Sequence, residues 1–99
     1  MTWYRILFPR SEASVKIAQL AQDFLDTLQA AENRDGIALY RHDPRGVNDP
    51  VVYYVSLNTS KPSRRLTDVY RAIRCPPPEP EDVEHFGGDS SVLARESML

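Results

Sequence analysis

Residues 12–33, "EASVKIAQLAQDFLDTLQAAEN", contain no Gly or Pro and are rich in Ala, Leu and Gln, which favour helix. Ile17, Leu20, Ala21, Phe24, Leu28 and Ala31 recur at spacings of three and four, so they share one apolar face. Ser11 is a helix N-cap candidate, and Glu12 puts negative charge in the first turn, where the helix dipole favours it. "NRDG" supplies the stop, with Gly36 able to take the left-handed conformation a helix end needs. Upstream, Tyr4, Ile6 and Phe8 alternate with Trp3, Arg5 and Leu7, as in a strand that Pro9 ends. Downstream, Ile37–Arg41 is a second short strand. A helix between two parallel strands makes a right-handed crossover and must cover one face of their sheet, which constrains the fold more than any other feature.

"VVYYVSL", Val51–Leu57, is the most strand-like stretch, and the turn-rich loop "HDPRGVNDP" before it predicts an antiparallel pairing with the second strand. Further on, Leu66, Val69, Tyr70 and Ile73 form an i, i+3, i+4, i+7 stripe. This predicts a second helix, capped by Ser60 or Ser63, that tolerates Pro62 in its first turn and is stopped by the prolines after Cys75. The expected fold is α+β: β-α-β-β-α, a three-stranded sheet with the third strand between the other two and two helices on one face. It is an incomplete ferredoxin-like arrangement unless "SVLAR", Ser91–Arg95, supplies a fourth strand. Residues 1–75 read as the single domain and 76–99 as a partly ordered, Pro-rich acidic tail.

At 99 residues the chain has room for one modest core, and its 41% hydrophobic and 26% charged content is that of a folded domain, not of a disordered chain. No apolar run resembles a signal peptide or a membrane span. The lone thiol of Cys75 suits a reducing compartment, so the expected setting is cytoplasmic. Residues 1–75 hold eleven Lys and Arg against eight Asp and Glu, a balance of +3, while residues 76–99 hold one against six, a balance of −5.

With both helices on one face, the reverse of the sheet would present Trp3, Arg5, Leu7, Tyr40, Val52 and Tyr54, too apolar a set to leave in water. Either a second copy packs there, or the tail folds back with Phe86, Val92 and Leu93, or the surface binds a partner. Trp, Tyr and Arg commonly carry the energy of protein recognition, so these six residues are the candidate protein-binding site. Ferredoxin-like RNA-binding domains stack bases on such a face, but their Gly- and Lys/Arg-containing signature has no counterpart in "ALYRHDP" or "VVYYVSL". The second candidate surface is basic: Lys61, Arg64, Arg65, Arg71 and Arg74, with Asp68 the one acid among them. It suits an acidic protein, or phosphates, or simply a solvated helix face.

Catalytic signals are thin. Two His and one Cys give no metal-ligand spacing, so no metal or other cofactor is expected. The loop His42–Asp49 concentrates a His, acids, an Arg and an Asn, yet no nucleophile accompanies them. The expectation is a small non-catalytic binding or regulatory protein whose partner is another, acidic, protein, with homodimerisation. A nucleic-acid-binding regulator using the same surfaces is the alternative, and a small enzyme built on the His42–Asp49 loop the third reading.

Overall fold

A computed structural model describes residues 2–11, 13–30, 36–46, 49–58 and 64–97. Strand β1 (Thr2–Phe8) leads to helix α1 (Ala13–Ala30), then to β2 (Ala38–His42) and β3 (Val51–Leu57). A single π-helical turn (Arg65–Val69) precedes β4 (Ile73–Cys75), and a short 3-10 turn (Pro80–Asp82) precedes β5 (Glu84–Gly88) and the terminal helix α2 (Val92–Ser97).

The sheet is antiparallel with order β4-β1-β3-β2-β5. β3 lies between β1 and β2, as expected. Alternation holds along β1 and β3: Tyr4, Ile6, Phe8, Val51, Tyr53, Val55 and Leu57 join Ile37 and Leu39 in one buried cluster, with Leu20 and Phe24 of α1 laid on it and Ile17 at its margin. The Leu28 side chain and Ala31, the end of the α1 stripe, lie outside the described parts.

Three expectations need correction. Among the described residues the sheet has five strands, not three. The fourth strand is Ile73–Cys75, while Ser91–Arg95, the candidate for that role, falls at the start of α2.

Among the described residues, the expected second helix is only a turn. Tyr70 N–H reaches the Arg65 carbonyl at 3.1 Å and Ala72 N–H the Leu66 carbonyl at 2.8 Å, and Arg71 then adopts a left-handed conformation, φ 54°, that no helix continues. The turn does pack on the α1 face, through Tyr70 and Leu66.

The helices also do not share a face. Val92 and Leu93 of α2 are buried on the reverse side against Trp3, Ala38 and Tyr40. A Tyr40 hydroxyl that accepts the Leu93 N–H at 3.2 Å and lies 3.4 Å from the Ser90 carbonyl holds α2 in place.

Residues 76–83 carry the chain across that reverse face from one sheet rim to the other. β5 then fits closely on β2: at Gly88, φ 79°, a methyl group would overlap the Ile37 carbonyl oxygen, and the next residue, Asp89, donates its N–H to that same oxygen at 2.9 Å. Buried Ser56 ties the middle strand to this point, its hydroxyl donating to the Gly36 carbonyl at 2.8 Å and accepting the Ala38 N–H at 3.0 Å.

Candidate functional site

The groove that best qualifies as a site lies at the β4 rim. β4 pairs with β1 only over Trp3–Arg5. Ala72 N–H is already committed to the turn, and the left-handed Arg71 bends the chain away. Ile6, Leu7 and Phe8 are therefore paired with β3 on one side, while β4 has already ended on the other. The space beside them is a groove of about 640 Å³. β1 supplies Arg5, Leu7 and Phe8, and Pro9 follows directly; α1 supplies Lys16 and Gln19; the turn and its exit supply Asp68, Val69, Tyr70 and Arg71; and Ile73 of β4 closes it.

Its walls are unusual for a surface. Leu7 is 47%, Val69 60% and Ile73 52% exposed, three aliphatic side chains lining one hollow. Three cations, Arg5, Lys16 and Arg71, face it from three different elements, against one carboxylate, Asp68. Neither Arg5 nor Arg71 takes part in an ion pair among the described residues.

The residues singled out in the sequence are scattered by the fold. Trp3 and Tyr40 are buried beneath α2, their rings 5.8 Å apart. Val52 and Tyr54 are half-buried. Tyr54 lines a second cleft, about 300 Å³, whose floor includes Arg5 and His42 and whose roof is the proline segment, Pro76 to Pro78. Burial raises the Tyr54 hydroxyl pKa there, and it raises that of the Cys75 thiol, against which Arg5 works. A thiol held protonated is a poor nucleophile. Only Arg5 and Leu7 of the six reach the groove.

Of the basic set, Arg71 lines the groove. Arg65 instead pairs with Asp23 of α1 at 3.0 Å. The Tyr70 hydroxyl also donates to Asp23, and burial together with that carboxylate pushes the Tyr70 pKa up to about 12. Arg64 is exposed. Arg74 is exposed too, opposite Tyr4 on β4. Lys61 lies outside the described residues, as do Ser60, Pro62 and Ser63 of the expected helix start.

The His42–Asp49 loop is a knot of structural bonds, with Val47 and Asn48 outside the described residues. Asp43 accepts from Arg10 at 2.7 Å, from Arg41 at 3.2 Å and from the Arg45 N–H at 2.9 Å. The Arg10 hydrogen bond, then the Arg45 N–H, lower its pKa to about 2. His42 Nδ1 lies 2.6 Å from the Asp82 carbonyl, which fits the tautomer that donates from Nδ1 and joins the loop to the 3-10 turn. The described residues contain no cluster of metal-ligating side chains, and none of their helices is long and apolar enough to cross a membrane.

Lys16, Val69 and Ile73 are groove residues that the sequence did not single out for function. The last two looked like core positions of a helix; Val69 instead lies exposed in the π-helical turn, and beyond the left-handed Arg71 the chain carries Ile73 onto β4. The chain matches no protein family model, no curated protein and no solved structure.

Proposed function

We propose that this chain is a small non-catalytic binding protein of the cytoplasm, and that it binds another protein through the groove beside the free end of β1. The observation that carries this reading is the exposure of Leu7, Val69 and Ile73 together in one hollow beside the incompletely paired strand β1. Exposed aliphatic side chains grouped in one hollow mark an interaction surface, and an unpaired sheet edge offers main-chain hydrogen bonds to an incoming segment. On the aromatic face, the first candidate from the sequence, Trp3 and Tyr40 are covered by α2, and Tyr54 is half-buried in the cleft beneath the proline segment. With Trp3 and Tyr40 covered, fewer rings of that face are open to stack on bases, which favours protein over nucleic acid as the partner.

Selection of displayed random peptides on the folded chain tests this. Selected peptides are expected to shift the amide resonances of Leu7, Phe8, Val69 and Ile73 on binding. A Val69→Asp, Ile73→Asp variant is expected to lose them while keeping its melting temperature, because both side chains are solvent-facing. Peptides that map to another surface, or that bind the variant equally well, would remove the groove from consideration.

A further inference from the structure

Resting on that reading of the groove, we propose a specific occupant: an extended acidic polypeptide segment, laid alongside Ile6–Phe8 as a strand that continues the line of β4. Three features support it. First, β4 gives out opposite Arg5 while β1 runs on for Ile6, Leu7 and Phe8, so the position of a further antiparallel neighbour is already defined. Strand addition to such an edge draws affinity from main-chain bonds and specificity from alternate side chains.

Second, the groove walls mix aliphatic and cationic groups. Leu7 and Ile73 lie on the reverse face with Arg5 directly opposite Ile73, Lys16 stands on the α1 side, and Arg71 sits at the bend. A segment that carries both aliphatic and acidic residues meets both kinds of group.

Third, the charge selects the partner. Three cations against Asp68 attract an acidic strand. They repel a two-fold copy of the same rim, which would set Arg5, Lys16 and Arg71 against themselves. Of the acids in the last quarter of the chain, Glu84 lies at the far rim, where Arg41 approaches it at 3.6 Å.

Four probes test this on the full chain: short peptides alternating valine with glutamate, with glutamine or with lysine, and a single-stranded RNA oligonucleotide. The glutamate peptide is expected to bind about tenfold more tightly than the glutamine peptide at low salt, an advantage that salt erodes. It should slow amide exchange at Ile6–Phe8. The tenfold preference should vanish in an Arg5→Gln, Arg71→Gln variant that melts as the parent does.

Equal binding of the glutamate and glutamine peptides, with the same amides protected, would overturn the acidic occupant and leave the groove as a docking surface. Tight binding with no protection at Ile6–Phe8 would overturn strand addition. Tighter binding of the RNA, or concentration-dependent self-association lost in the double variant, would replace the proposed occupant by nucleic acid or by a second copy. If none of the three peptides binds, the strand proposal fails, and Val69→Asp, Ile73→Asp capture of selected peptides decides whether the groove reading survives it.

Discussion

Asp43 shows how single side chains hold this molecule. It is the shared acceptor of Arg10 from the end of β1, Arg41 from β2 and the backbone of Arg45, and Arg45 itself sits at φ 60°, a conformation that the Asp43 hydrogen bond helps to retain. The carboxylate is ionised in the fold well below its ordinary range, from 3.8 down to about 2. A group with a depressed folded pKa gives its stabilisation above the unfolded pKa and loses it as pH falls toward the folded one. The parent should therefore lose melting temperature between pH 3.8 and about 2, the interval set by that shift. Asp43→Asn should start lower at neutral pH and show a flatter profile through that interval, as thermal melts across acidic buffers would read directly. The sequence displayed this cluster as a candidate for chemistry. Its residue types were visible, but their mutual hydrogen bonds depend on Arg10, which lies far away along the chain and has no local signal.

At the level of elements, what was legible follows from length and period. β1 and β3 each have seven residues, enough for alternation to show, and α1 has eighteen, enough for a clear stripe. β4 has three residues, too few to display any period. Its Ile73 happened to fall in helical register with Leu66, Val69 and Tyr70, and one left-handed residue, Arg71, breaks that register. β5, "EHFGG", has no strand-like composition, and it pairs because β2 offers an edge. The apolar residues of the reverse face call for cover, and Val92 and Leu93 supply it over Trp3 and Tyr40; Phe86 instead packs edge-on against Tyr53 on the α1 side, ring centres 5.3 Å apart. Because α2 is short, its hold rests on few side chains. Leu93→Ala should cost roughly 2–5 kcal/mol, the range for truncating a buried leucine, and should move Trp3 fluorescence to longer wavelength as water reaches the indole. Leu25→Ala on α1, where the side chain is 51% exposed, should change neither.

For the molecule as a whole, the radius of gyration is 12.8 Å, against about 13 Å for a compact chain of this length. The last quarter of the sequence is thus folded into the body. A chain ending at Cys75 would lack β5 and α2, expose Trp3, Ala38 and Tyr40, and leave β2 as a bare edge. It should aggregate or lose its near-ultraviolet circular dichroism, which size exclusion and spectroscopy would show, whereas the full chain stays folded under the same conditions. The path of residues 76–83 has a mechanical corollary. From the β4 rim to the β5 rim there are four inter-strand gaps, about 19 Å at ~4.8 Å each. An extended proline-type chain rises about 3.1 Å per residue, and a 3-10 turn about 2 Å. The connector therefore has almost no slack: it works as a spacer bar of nearly fixed length, and its stiff prolines let both outer strands be seated at once.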